Sequence, residues 1–297
     1  MLPDYSASLV KGRPSKQAAL ALQAKSALYA ENWPVALATA EQVITSGKVG
    51  LMTNVKAVYE FAQEDAARFE NLFAFESEGT AAPNRSSQLT SLFGPQNSTG
   101  PQYGKTSFGS AFAYPAFFAS FNPADKRRTL LDTNYIHTNG TVVPQKNITP
   151  ITPFGVLVKK YQDPVSTNGS GSNIPVLRYA DVLLIAAEAE ARQTGATTKA
   201  YGYINQVRTR AGLPDLTAGL GQTAFIDSVL QERHWELFAE ADRWYDLTRT
   251  GKFMTVIPLA VNDVYPVRQP QLKHKYFPIP QDEINANPKI EQNPAWK

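Results

Sequence analysis

The 297-residue chain is long enough to bury a sizeable core, and its 43% hydrophobic and 19% charged content excludes a disordered polypeptide. A formal charge of +3 without runs of one sign excludes a nucleic-acid footprint, and the absence of cysteine excludes disulfides, thiolate metal sites and cysteine nucleophiles. With 3 histidines, and with no apolar stretch long enough to span a membrane, the notable feature is an excess of 13 Tyr, 15 Phe, 4 Trp and 21 Pro.

In chain order, Ala18, Ala21, Leu22, Ala24, Leu28 and Tyr29 recur at three- and four-residue steps and predict a helix over 15–30. After Asn32-Trp33-Pro34, Val35, Ala36, Leu37, Ala40, Val43 and Ile44 predict a second helix that Gly47 stops. The pair, within 12–50, is a helical hairpin of about 34 residues, the length of one tetratricopeptide unit. Asn71–Glu76 and Gly155–Tyr161 read as strands.

Between about 80 and 172, helical periodicity gives way to Gly, Pro, Ser, Asn and Thr, predicting a long irregular insertion. Loops of this length, when ordered, usually carry function. Rings including Phe93, Tyr103, Phe112, Tyr114, Phe117, Phe118, Phe121 and Tyr135 alternate with Asn97, Gln102, Asn122, Asp125, Arg127, Arg128 and Asn134. A sugar suits that mixture, because its C–H face stacks on an aromatic ring while its hydroxyls need planar donors and acceptors. The candidate ligand residues are Asn97, Tyr103, Tyr114, Arg127 and Tyr135; most phenylalanines are expected to pin the loop to the body.

The segment 173–297 is expected to be helical with an extended tail. Tyr179, Val182, Leu183, Ala186 and Ala189 line one helix, Ala200, Ile204, Val207 and Ala211 its partner, and a third is predicted from an N-cap at Thr223 to about Gly251. Beyond Thr255 the proline-punctuated chain reads as extended. Gly219–Ala224 fits G-x-G-x-x-A, but no convincing strand precedes it, so it reads as a turn capping a helix. Glu236 and Glu240 lie a helical turn apart, yet between Arg233 and Arg243 they are expected to form structural ion pairs. Trp235 and Trp244 are expected to be largely buried.

Several blocks resemble the SusD/RagB family of nutrient-binding outer-membrane lipoproteins of the Bacteroidetes. They are Arg178-Tyr179-Ala180-Asp181-Val182-Leu183-Leu184 with Ala187-Glu188-Ala189; Asn205 through Val207-Arg208-Thr209-Arg210-Ala211-Gly212-Leu213-Pro214; Glu232-Arg233-His234-Trp235-Glu236-Leu237 with Arg243-Trp244-Tyr245-Asp246-Leu247; and Tyr276-Phe277-Pro278-Ile279-Pro280 with Asn287-Pro288 and Gln292-Asn293-Pro294. His234 stands where the family usually has Arg, and Ala241 where it usually has Gly or His. The resemblance implies a mostly α fold, with tetratricopeptide-like hairpins carrying a loop and short-strand insertion.

It also implies a non-catalytic surface protein that captures an oligosaccharide or polysaccharide and passes it to a SusC-like TonB-dependent transporter, without cofactor, metal or nucleic acid. Residues 1–297 are expected to be one SusD-like domain, the C-terminal part of a longer lipoprotein whose lipid anchor on the outer membrane lies outside this sequence. Two other readings remain: a protein-interaction repeat without sugar binding, and a glycoside hydrolase, against which no carboxylate pair stands out in the aromatic region.

Overall fold

The computed structural model describes residues 2–78, 86–95, 107–137, 139–144, 155–165, 170–261 and 269–297. The chain forms two compact units, Met1–Ala241 and Asp242–Lys297, so the division falls inside the segment expected to be one helical part. Among the described residues no helix is long and apolar enough to cross a membrane.

The first unit opens with the expected hairpin, α1 (Lys16–Tyr29) and α2 (Trp33–Thr45). Ser15 Oγ accepts the Ala18 N–H at 3.1 Å and Asn32 Oδ1 accepts that of Val35 at 3.4 Å, so each helix begins at a polar side chain that satisfies an otherwise orphaned donor. After α3 (Glu64–Ala67) comes β1 (Asn71–Phe75). The insertion then contributes α4 (Leu89–Phe93), α5 (Pro115–Ala119), β2 (Leu131–Asp132), β3 (Asn134–Ile136), β4 (Val142–Pro144) and β5 (Leu157–Val158). Its exit is β6 (Ile174–Arg178), which runs directly into α6 (Tyr179–Thr194), α7 (Thr198–Arg210) and α8 (Gln222–Glu236).

Helix α6 packs against α1, α2, α7 and α8, and 13 of its 16 residues are buried, which makes it the centre of the body. Its small residues explain how: Ala180, Ala186, Ala187, Ala189 and Ala191 are all fully buried, and side chains of that size let neighbouring helices approach. Its acidic side chains are paired. Asp181 meets Arg233 at 2.5 Å and Lys25 at 3.1 Å; burial alone would raise this carboxyl, but the two cations hold it well below its usual range.

Strands β1 and β6 pair antiparallel, with Asn71 opposite Arg178 and Phe75 opposite Ile174, and so clasp the insertion at its base. Within it, β2 pairs with β5 and β3 with β4. The expected strand over 155–161 shortens to β5 plus one bridge between Ala113 and Val156. A second apolar cluster joins Val55, Val58 and Tyr59 to Phe121, Leu130, Val156, Val158 and Tyr161 of the insertion and to Phe238. Phe93 stacks on Tyr161 with ring centroids 5.4 Å apart, and Phe117 and Phe118 pack on the same cluster, so these rings pin the loop.

Three expectations change. Helix α8 starts one residue after Gly221 rather than at a Thr223 cap, and ends at Glu236 instead of running toward Gly251. It ends because Ala239 and Ala241 adopt φ of 61° and 68°, left-handed positions that no right-handed helix can pass through. Gly219, at φ 86°, turns the chain into α8 with no strand before it, in keeping with the capping turn. The tail is not simply extended: the second unit holds α9 (Asp242–Arg249), α10 (Phe253–Val261, with Pro258 inside) and α11 (Gln281–Ala286).

Candidate functional site

Where the insertion meets the body, charged side chains from distant parts of the chain converge out of contact with water. Glu236, the last residue of α8, accepts from Arg178 at 2.9 Å, Arg210 at 2.5 Å and Arg127 at 3.3 Å. Burial would raise its carboxyl, but the Arg210 guanidinium, with Arg178 and Arg127, holds it well below the ordinary carboxylate range. Glu240 accepts from Arg178 Nε at 2.7 Å, Lys160 Nζ at 2.6 Å and the Tyr59 hydroxyl at 2.8 Å. Burial lowers the Lys160 ammonium to about 8, although Glu240 opposes this. Arg178 also reaches Glu70 at 2.7 Å, whose other oxygen accepts the Met52 N–H at 2.7 Å.

This network ties β1, β6, α7, α8 and the insertion together. It cannot serve as an acid–base pair: a glycosidic general acid needs a carboxyl raised to hold its proton, whereas Glu236 and Glu240 are both lowered and occupied by cations. The expected structural role of Glu236 and Glu240 therefore holds, with different partners. Arg178, Arg127, Arg210 and Lys160 bind them, while Arg233 goes to Asp181.

The candidate ligand residues separate. Arg127 is a correction: it is 0% exposed, with its guanidinium held by Asp125 at 2.8 Å, Glu232 at 2.7 Å and Glu236 at 3.3 Å, so no ligand reaches it. Tyr135 is also a correction, because only 8% of it is exposed and it packs on Leu157 with Phe112 and Val143. Asn97 and Tyr103 lie outside the described residues. Tyr114 is half-buried at the N-cap of α5, just before Pro115.

Phe118 lies one turn beyond Tyr114, on the same face of α5. Above its ring, at 4.4 Å, sits the Arg128 guanidinium, whose buried Nε has no hydrogen-bond partner among the described residues. Trp235, expected to be buried, is half-buried at this edge and donates its indole N–H to Ser120 Oγ at 3.0 Å. Trp244 is likewise half-buried, against Phe253 in the second unit. Tyr114, Phe118 and Arg128 thus form the insertion's candidate strip of ring faces beside a donor.

Sequence reasoning chose the buried arginine of an adjacent pair. The turn over 126–130 points successive side chains in different directions, and Asp125, two residues before Arg127, caps that turn and draws Arg127 inward. An Asp at the start of such a turn is the signal that separates the two.

The sequence model of the SusD family matches residues 52–296. SusD-like protein P25 of Formosa agariphila is 27% identical over 326 residues, spanning 96% of this chain and 59% of that protein. Starch-binding protein SusD of Bacteroides thetaiotaomicron is 32% identical over 132 residues, 42% of this chain and 22% of that protein. Among solved structures, Surface glycan-binding protein A from Bacteroides thetaiotaomicron in complex with laminarihexaose has a TM-score of 0.81 at 23% identity, covering 98% of this chain and 66% of that one. The chain thus spans roughly three fifths to two thirds of P25 and of that structure. From the α2 border to the final turn, the ordered motif blocks, the hairpins built around α6 and the matched residues 52–296 agree: this chain belongs to the SusD family.

Proposed function

We propose that the chain is a non-catalytic glycan-binding protein that works on the outer-membrane surface and delivers oligosaccharides to a SusC-like TonB-dependent transporter. The observation that carries the glycan reading is the strip of Tyr114, Phe118 and Arg128, half-buried rings beside a half-buried guanidinium. Such a strip offers a C–H face somewhere to stack and a hydroxyl somewhere to accept from. Relatives named for starch binding and for a laminarihexaose complex support the same ligand class. Asn97 and Tyr103 are proposed as further contacts from their sequence context. A lipid anchor would hold the protein at the surface.

Stacking and hydroxyl contacts at a partly open strip give modest affinity per site. Migration through native gels containing starch or laminarin tests the reading. The wild type is expected to be retarded by one of them, and Tyr114→Ala to lose most of that retardation while keeping its circular dichroism spectrum. Release of reducing ends from either polysaccharide would instead favour a hydrolase. Co-purification with a TonB-dependent transporter tests the delivery step.

A further inference from the structure

Away from the insertion, a solvent-open groove of about 620 Å³ runs between the 50–53 segment and α7, within the size range of small-molecule sites. One wall is the exposed face of α7 that carries Gly202, Gln206 and Thr209, at spacings of four and three residues, and so on one side of the helix. Gly202 has no packing reason to be glycine: a Cβ added there meets nothing within 4 Å, and glycine weakens a helix interior relative to alanine. Its bare backbone leaves the groove wide at mid-wall.

Tyr179 lines the groove, and although only 6% of the residue is exposed, its hydroxyl makes no hydrogen bond among the described residues and is not sealed from solvent. Arg210, also in the lining, has a buried Nε without a partner among the described residues. Half-buried Met52 supplies an apolar surface opposite these polar groups. A further helical hairpin is a poor occupant, because Gly202, Gln206 and Thr209 offer it almost no apolar area.

We propose that this groove is a second saccharide subsite, separate from the insertion strip, that takes one or two sugar rings with Tyr179 and Gln206 on their hydroxyls and Met52 against a C–H face. The ligand class rests on the glycan-binding reading; the site does not use any of the strip's residues.

The test is isothermal titration of the whole chain with maltoheptaose and with laminarihexaose, using Gly202→Phe to fill the groove and Tyr179→Phe to remove only the hydroxyl. Gly202→Phe is expected to lose one class of binding site while keeping the one that Tyr114→Ala removes, and Tyr179→Phe to weaken the groove class by up to about tenfold, the value of one hydrogen bond. Binding in Gly202→Phe and Tyr179→Phe identical to wild type, with Tyr114→Ala impaired, overturns the groove and leaves the strip standing. Loss in Gly202→Phe with Tyr114→Ala unaffected keeps the groove and overturns the strip. No heat from the wild type with either oligosaccharide overturns both.

Discussion

The helical body and the insertion are held together by different physics. Around α6 the body relies mainly on shape: alanines at the helix contacts and Leu183 and Leu184 fully buried beside them, with Asp181 tied to Lys25 and Arg233 as its ionic exception. Among the described residues the insertion has only short helices and two- or three-residue strands beyond its clasp, and beside its apolar cluster it is fastened by charge. Arg127 and Lys160 from the insertion, Arg178 from β6 and Arg210 from α7 all end on Glu236 or Glu240. Apolar packing tolerates small shifts in proportion to area lost. A buried ionic lattice fails abruptly, because each missing partner leaves a desolvated charge.

The largest expected effect comes from breaking that lattice. Arg178→Ala leaves Glu70, Glu236 and Glu240 each short of a partner, and removing one member of a buried pair costs about 3–5 kcal/mol. Leu184→Ala in the body is the matched perturbation, at about 2–5 kcal/mol for a buried leucine. Urea unfolding measures both, and limited proteolysis separates them. The arginine variant should be cut first within 86–165 while the helices persist, whereas the leucine variant should lose protection throughout. Equal protection of the insertion in the two variants would contradict the contrast.

These differences also explain what could be read from sequence. Alanine periodicity placed α1 and α2 and put the lining residues of α6 and α7 on single helices, while Ser15, Asn32 and Thr197 prove in the structure to cap α1, α2 and α7. Helix periodicity is a local signal. The lattice is not local: Arg178 and Glu236 are 58 residues apart and Arg127 and Glu236 are 109 apart, and no short window contains both partners. Strand β6 was missed for the same reason, since its pairing partner β1 lies on the far side of the insertion. At the candidate strip the ring types and the presence of an arginine were legible, but which of two adjacent arginines faced outward depended on the turn over 126–130.

A smaller effect should appear with pH at the base of the insertion. Glu64 Oε1 accepts the Asn173 N–H at 2.8 Å, and the Asn173 side chain donates to Glu76 at 2.9 Å, joining the start of the insertion to its end. Burial raises the Glu64 carboxyl from 4.5 to about 7; the Asn173 amide opposes this, while Glu76 and Asp163 add to it. The folded state therefore holds a proton between pH 4.5 and 7 that the unfolded chain has released, so stability contributed by this group falls as pH rises through that window and is flat above it. Glu236 and Glu240 act in the opposite sense, losing their contribution as pH falls below the ordinary carboxylate range. Urea midpoints should thus be higher near pH 5 than at pH 8. Glu64→Gln should flatten the upper part of the profile; an unchanged slope would assign it to other groups.

The smallest predicted effect has the most informative sign. Ala241 occupies φ 68°, a left-handed conformation that costs a residue with a Cβ about 1–2 kcal/mol. The strain persists because Glu240, immediately before it, is fixed by Arg178, Lys160 and Tyr59, which dictates the course of the chain at this point. Replacing Ala241 by Gly relieves the strain and keeps the clamp, so the urea midpoint should rise by the equivalent of about 1 kcal/mol, part of the relief being offset by the greater entropy of an unfolded glycine. The same change in the body, Ala186→Gly, should lower stability by at least a similar amount, because right-handed helix geometry gives glycine no advantage and a buried methyl is lost. Opposite signs for one chemical substitution would show that the body is limited by packing and the end of α8 by the backbone path that its ionic anchor imposes; matching signs would show that the anchor imposes no strain.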